Sequence, residues 1–110
     1  MNIALIVEGK TEKAFLPHLR GYLQNRLSQM PRLNGYPYDG LIPTQEKLKR
    51  VVYNLLKTND HVIALTDVYT GQSLYVDADD AIRKMRQWVG AEPRFHPHAA
   101  QYDFEAWLLP

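Results

Sequence analysis

Apolar positions along the chain fall into two kinds of segment. Short unbroken apolar runs, typical of strands covered on both faces in a parallel sheet, occupy residues 3–7 (IALIV) and 61–66 (HVIALT). Elsewhere, apolar residues recur every three or four positions, which is the spacing of a helix with one buried face. The segments follow one another as strand and helix, four times over. Such alternation predicts a parallel sheet with helices on its faces.

Four helices are predicted. The first follows Thr11, and the second follows Thr44 as its N-cap, with an apolar stripe at Leu48, Val51, Val52, Leu55 and Leu56. The third covers residues 78–89 and ends at Gly90, and the fourth opens in "YDFEAWLL" at residue 102. Residues 29–40 are rich in turn formers and predict a loop, with a short second strand at 38–42. A weaker last strand, interrupted by Pro97, covers residues 93–101.

Length and composition indicate one α/β domain, residues 1–110, with an open parallel sheet of about four strands and helices on both faces. No segment approaches the roughly 20 apolar residues of a membrane span. The chain has no cysteine, which excludes disulfides and thiolate metal sites and makes the cytoplasm the default location. It ends in the apolar segment "FEAWLLP", which suggests the front part of a longer protein.

The charges are unevenly distributed. Residues 1–57 hold nine Lys/Arg and four Asp/Glu, whereas residues 58–110 hold four and eight. A basic first half and an acidic second half suit a phosphate-facing flank beside a carboxylate site. Solvated helix faces with no such role would produce the same counts.

Acidic residues follow three predicted strands. They are Glu8, with Glu12 one helical turn later, then Asp67, and finally Asp103 with Glu105. Carboxyl ends of parallel strands meet at one edge of a sheet, so these side chains are expected to converge there. Carboxylates grouped in this way repel one another unless a cation lies among them, and Mg²⁺ prefers oxygen ligands.

Each acid also has an ordinary structural explanation. Glu12 would complement the positive end of a helix, and Asp67 would form a turn. Asp103 would serve as an N-cap, with Glu105 in the first turn of the last helix. A shared site is more expected than the coincidence of all these explanations at one edge of one sheet.

Three segments resemble motifs of the Toprim fold, which occurs in topoisomerases, bacterial primases and the nucleases named for overcoming lysogenisation defect. "LIVEGKTEKAFL" is similar to the opening motif of the nuclease branch, with Glu8 and Glu12 at its two glutamates. "LTDVYTG" resembles the aspartate motif, with Asp67 at its first acidic position. "QYDFEAWLL" resembles an acidic segment of small relatives often encoded beside an ATPase, and it carries Asp103 and Glu105.

The resemblance implies a nuclease that hydrolyses nucleic-acid phosphodiesters, DNA in the first place, with two Mg²⁺ or Mn²⁺ ions and an ATPase partner. One ion would be held by Glu8 and Glu12, the other by Asp67 with Asp103 or Glu105. These roles make Glu8, Asp67 and Glu105 the candidate catalytic residues. Tyr69 occupies the position of the family's second aspartate, which weakens the second metal position.

Lys10 lies between the two glutamates and Lys13 directly follows Glu12, and both are candidates for contacting phosphate. The alternative is that both lysines are only solvated. The alternative function for the whole domain is a non-catalytic docking or regulatory module that binds metal weakly or not at all.

Aromatic and histidine residues give weaker signals. His96 and His98, two apart on a strand, share a face and suggest zinc, but they lack a clear third ligand. His18 and His61 have no partner at an informative spacing. Trp88 and Trp107 lie at helical positions and are expected in the core rather than as stacking platforms for bases.

Overall fold

A computed structural model describes residues 1–8, 17, 20, 21, 24, 32–38, 41–69 and 74–102. Within these residues the chain forms four strands and two helices, in the order β1 (Asn2–Glu8), β2 (Arg32–Tyr38), α1 (Gln45–Leu55), β3 (His61–Tyr69), α2 (Ala78–Val89) and β4 (Phe95–Tyr102). Between β1 and β2, the described residues Pro17, Arg20, Gly21 and Gln24 are helical. The remainder of the first predicted helix and residues 103–110, with Trp107, lie outside the described residues. Tyr102, where the last helix was predicted to open, belongs to β4.

The four strands form one open sheet in the order β2-β1-β3-β4, and every neighbouring pair is parallel. β1 therefore occupies the interior of the sheet, paired with β2 on one side and β3 on the other. With helices flanking it, the sheet has the Rossmann-like architecture to which the Toprim fold also belongs. The predicted fold class is confirmed.

Burial on both faces explains the uninterrupted apolar sequence of β1. Ala4, Leu5, Ile6 and Val7 are all fully buried, although successive side chains of a strand point to opposite faces. A half-exposed strand would instead alternate apolar with polar residues. The interior position of β1 thus fixes both its composition and the point at which its first charged residue, Glu8, emerges.

Helices α1 and α2 pack on the same face of the sheet. Their apolar stripes form one core cluster with alternate residues of β1 and β3 and the first residue of β4, and its buried members are Ala4, Ile6, Ile42, Leu48, Val52, Leu55, Leu56, Val62, Ala64, Met85, Val89 and Phe95. On the opposite face, Leu5, Val7 and Leu65 form a separate buried cluster. Trp88 is partly buried between the main cluster and a third one around Tyr75, so its predicted core role is confirmed.

The strongest periodic patterns give the correct element bounds. Helix α2 covers the predicted residues 78–89, and Gly90 ends it with a positive φ of 93°. Asp77 caps this helix by accepting a hydrogen bond of 2.8 Å from the Asp80 amide. Helix α1 begins directly after Thr44 as predicted, but the Thr44 side chain makes no capping hydrogen bond. None of the helices in the described part of the chain is long and apolar enough to span a membrane.

The weaker patterns gave wrong bounds. Residues 32–38 form strand β2 rather than the predicted loop, and no strand covers residues 41 and 42. β2 is an edge strand whose residues are exposed or half-buried, so it tolerates Pro37 and needs no apolar run. Strand β3 continues through Tyr69, which places Asp67 inside the strand rather than after it. Pro97 is accommodated because β4 is the other edge of the sheet.

Buried Asn59 and its neighbour Asp60 together join three elements at the amino edge of the sheet. Its side-chain amide donates a hydrogen bond of 3.0 Å to the Leu55 carbonyl at the end of α1. Its side-chain oxygen accepts one of 3.0 Å from the Asn34 amide of β2. Asp60, its neighbour, exchanges two hydrogen bonds of 2.7 Å with Asn2 of β1. This contact therefore ties α1 to the strands before β3 begins.

Replacement of Asn59 by Ala should lower the free energy of unfolding by about 1–3 kcal/mol, because the half-buried Asn34 amide loses its acceptor and the Leu55 carbonyl keeps only its two backbone donors. The exposed Asn54 of α1 provides the control, since Asn54→Ala should change stability by less than about 0.5 kcal/mol. Urea denaturation of both variants measures the difference. Equal stabilities of the two variants would contradict the role assigned to Asn59.

Candidate metal centre

The order in which successive strands are added to the sheet reverses between β1 and β3. The chain passes from β1 to β2 on one side and then returns to place β3 on the other side of β1. In open α/β sheets, the crevice beyond the carboxyl ends of the two strands at such a reversal is the usual binding site. Glu8 is the last residue of β1, and Asp67 lies near the end of β3. The fold therefore brings two of the predicted acids to this crevice.

The strand register places Glu8 beside Thr66. Val7 pairs with Leu65, so the next residue of each strand is a neighbour on the opposite face. The Thr66 hydroxyl donates a hydrogen bond of 3.0 Å to Glu8 Oε1, and the Asp67 amide donates to the same oxygen at 3.5 Å. Both donors orient the Glu8 carboxyl toward β3. The position of the carboxyl is thus set by parallel strand pairing rather than by a flexible loop.

Electrostatics disfavour the ionised form of Glu8. Burial is the largest cause of its raised pKa, and the charge of the Asp67 carboxylate and a hydrogen bond between the two carboxyl groups act in the same direction. The hydrogen bonds from the Thr66 hydroxyl and the Asp67 amide oppose the shift without reversing it. Asp67 itself is only 4% exposed. A half-buried carboxyl group in contact with a buried one favours a proton or a cation between them.

The chemistry of these donors fits a hard divalent cation. Glu8, Asp67 and Thr66 present only oxygen atoms, and Mg²⁺ is commonly held by one or two carboxylates together with water and substrate phosphate. Within the described residues, no group of three or more Asp, Glu, His or Cys side chains could enclose a metal ion. The described part of the chain thus supplies an open, two-carboxylate site.

The remaining predicted site residues lie outside the described residues. These are Lys10, Glu12, Lys13, Asp103 and Glu105. Their predicted roles remain predictions. Tyr69 is the last residue of β3, on the strand that carries Asp67.

Tyr75 is a member of the site neighbourhood that sequence reasoning missed. It is 3% exposed and packs against Val68 and Ala81, with its ring centroid 6.3 Å from that of Trp88. Burial, followed by the negative charges of Glu8 and Asp80, raises the pKa of Tyr75 to about 12. Its hydroxyl therefore stays protonated at neutral pH and retains a proton that it can donate.

Asp80 and Lys84 hold the segment that carries Tyr75. Asp80 accepts a hydrogen bond of 3.0 Å from the Val76 amide and forms ion pairs with Lys84, at 3.0 Å, and with Arg83. The Val76 amide and the lysine lower the pKa of Asp80 to about 2. Lys84 Nζ also donates to the Leu74 carbonyl at 3.1 Å. A buried, ionised aspartate thus fastens residues 74–76 to the start of α2.

The sequence indicates that these ion pairs form. Asp79 and Asp80 precede Arg83 and Lys84 at the three- and four-residue spacings of helical ion pairs. That spacing identifies an ion-pair network, but it does not show that the network flanks the crevice. The link to Glu8 requires the tertiary structure.

A pair of histidines forms at the opposite end of β3. His61 Nδ1 and His96 Nε2 are 3.1 Å apart, so one nitrogen donates a hydrogen bond to the other. No sequence spacing indicated this pair, because the partner of His61 lies 35 residues away on a different strand. His98 lies on the same side of β4 as His96 and is exposed. Within the described residues, no third side chain joins these histidines in a group that could hold zinc.

The fold and the crevice define an α/β domain with a carboxylate pair at the reversal of strand order. In a comparison of the sequence with protein families, residues 7–110 match the domain of unknown function DUF4276. The chain belongs to that family. No curated protein and no solved structure matched the chain.

Replacement of Glu8 by Gln should stabilise the metal-free protein at neutral pH. A glutamate whose pKa is raised in the folded state costs stability once pH exceeds its unfolded value of 4.5, and the full cost is present above the folded value. Glutamine keeps an acceptor for Thr66 without the charge. In chelator, the melting temperature of Glu8→Gln should exceed that of the parent at pH 7, and the gain should shrink toward pH 4.

The control for this experiment is Glu46→Gln, because Glu46 is an exposed residue of α1. Its melting temperature should follow that of the parent across the same pH range. A Glu8→Gln variant less stable than the parent at pH 7 would show that the carboxylate is compensated in the folded protein.

The histidine pair should make the protein less stable in mild acid. Burial, the neighbouring His61, and the charges of Arg86 and His98 lower the pKa of His96. The unfolded chain therefore binds a proton near pH 6.5 that the folded chain resists, and stability falls as pH drops below that value. His96→Gln should reduce the loss of melting temperature between pH 7.5 and 5.5. His98→Gln should retain most of it, and identical profiles for both variants would contradict the assignment.

Proposed function

We propose that this protein is a divalent-metal-dependent nuclease of the Toprim type, which hydrolyses phosphodiester bonds of nucleic acid, DNA in the first place. The observation that carries the proposal is the contact between Glu8 and Asp67 at the reversal of strand order, where burial and mutual repulsion raise the pKa of Glu8. The two residues occupy the first acidic positions of two of the three motifs on which the resemblance rests.

Glu8 and Asp67 would hold Mg²⁺ or Mn²⁺, with Thr66 orienting the glutamate through its hydroxyl. The bound ion would supply activation of water and stabilisation of charge on the leaving oxygen. Glu12, Asp103 and Glu105 are the proposed further ligands, and Lys10 and Lys13 the proposed phosphate contacts. The absence of cysteine from the chain supports a cytoplasmic enzyme, and we include an ATPase as a proposed partner.

The local chemistry supports hydrolysis in a further respect. A carboxyl group whose pKa is raised by burial gains most from a cation, because the ion removes the repulsion between the two acids. The buried Tyr75 near the same charges keeps its hydroxyl protonated at neutral pH and therefore adds no negative charge that would oppose phosphate. Asp80 and Lys84 would hold the segment that carries Tyr75 in place while the substrate binds.

The competing function is a non-catalytic docking module. Tyr69 at the position of the second aspartate favours it, as does the small number of carboxylates that meet within the described residues. A docking module would need neither the metal nor the carboxyl pair. The two functions are therefore separated by a metal titration combined with a cleavage assay.

With Mn²⁺ at 100 times its dissociation constant, the melting temperature should rise by the equivalent of about 2.7 kcal/mol. Labelled single-stranded and double-stranded DNA and RNA should be assayed under the same conditions. Glu8→Gln and Asp67→Asn should each abolish the thermal shift and slow cleavage about a hundredfold or more, because each removes a metal ligand. Glu46→Gln should leave both unchanged.

A thermal shift without cleavage of any substrate would favour the docking module with a structural metal. The absence of both in the parent protein would contradict the proposed nuclease. Equal losses in Glu46→Gln would show that the effect arises from net charge rather than from the site.

A further inference from the structure

We propose that the outer face of α1 binds the phosphate backbone of nucleic acid. This inference rests on the proposed function, because it names the surface on which the substrate of the carboxylate site would lie. Four exposed cations define this surface, which we term the α1 basic face: Lys47, Lys49, Arg50 and Lys57.

The cations of α1 differ from those of α2 in their partners. On α2, Arg83 and Lys84 pair with Asp80, and Arg86 donates to the Glu92 carbonyl. In the part of the chain that the structure describes, none of the four cations of the α1 basic face forms an ion pair. The α1 basic face includes one acid, Glu46. An excess of uncompensated positive charge on one exposed helix face is the electrostatic signature of a polyanion site.

The geometry suits a nucleic-acid strand. Lys47 lies eight residues before Leu55, the last residue of α1, which corresponds to about 12 Å along the helix, and Lys57 follows two residues after the helix end. The helical length covers roughly three to four nucleotides at 3.4 Å per step of a DNA strand. Tyr53, with 41% of its surface exposed, lies among these cations, and its hydroxyl donates to the Val89 carbonyl at 3.4 Å. An anchored aromatic ring among cations is typical of nucleic-acid surfaces rather than of surfaces for acidic peptides.

The α1 basic face leads toward the candidate metal centre. Tyr38, the last residue of β2, pairs in register with Glu8. Helix α1 begins at Gln45, seven residues later, and therefore starts at the carboxyl edge of the sheet before it crosses back to the start of β3. Lys47, Lys49 and Arg50 consequently lie in the part of α1 nearest the carboxyl edge. A strand that follows the α1 basic face would reach the edge that carries Glu8 and Asp67.

The test measures binding without catalysis. Fluorescence anisotropy with labelled DNA oligonucleotides, in EDTA and at several salt concentrations, compares the parent with Lys49→Gln/Arg50→Gln. The control is Arg83→Gln/Arg94→Gln, which removes the same net charge from cations that already have carboxylate partners. The α1 variant should bind about tenfold or more weakly, and its slope of log K against log salt should decrease by about 0.9 for each phosphate of duplex DNA that the variant no longer neutralises. The control should bind DNA as the parent does.

Equal weakening in both variants would overturn the inference, because it would show a dependence on net charge alone. Competition by polyglutamate as effective as that by DNA would also overturn it, in favour of an acidic protein partner. Unchanged binding of the α1 variant, with Mn²⁺-dependent cleavage intact in the parent, would reject the α1 basic face and leave the nuclease proposal standing. Selective loss of binding in the α1 variant, with no cleavage by the parent, would support the surface and reject the nuclease.

Discussion

The structure depends on the parallel pairing of β1 between β2 and β3. This arrangement buries both faces of β1 and makes its end the point where the chain leaves the hydrophobic interior. Since the register with β3 is fixed by the buried residues on each face, the first polar residue of β1 must meet the corresponding residues of β3. Glu8 consequently contacts Thr66 and Asp67 whatever the surrounding loops do. The pairing of the strands therefore determines the position of the candidate site.

The contact between Glu8 and Asp67 is not expected to stabilise the fold. The half-buried Glu8, held against Asp67, loses hydration and gains repulsion, and the two hydrogen bonds that it accepts do not restore its pKa to the ordinary value. Asp80, also buried, shows the contrast, because its two cations and a backbone amide favour ionisation. The chain thus contains a compensated buried acid, Asp80, that fastens a segment, and a second acid, Glu8, whose pKa is raised beside Asp67 at the crevice. The second arrangement is the one expected where a ligand supplies the missing charge.

The sequence predicted those features that local pattern controls. Helix α2 and the cores of β1 and β3 were identified because fully buried elements have continuous or strictly periodic apolar residues. Strand β2 was missed because an edge strand has one hydrogen-bonded neighbour and exposed residues, so its composition resembles that of a loop. The convergence of Glu8 and Asp67 could be inferred from topology. Thr66 and Tyr75 could not, because their importance arises from contacts between elements far apart in the chain.

The uneven charge of the chain acquires a physical explanation from the fold. Its acidic half supplies Asp67 and the acids that hold α2 and the segment of Tyr75, and their carboxylates are largely engaged with neighbouring groups. Its basic half supplies α1, whose cations remain available at the surface. A polyanionic substrate would be repelled by an acidic crevice alone, so a nearby uncompensated basic face would provide the attraction needed to bring phosphate close. The separation of charge along the sequence therefore suits a domain in which one helix attracts the substrate and the sheet edge acts on it.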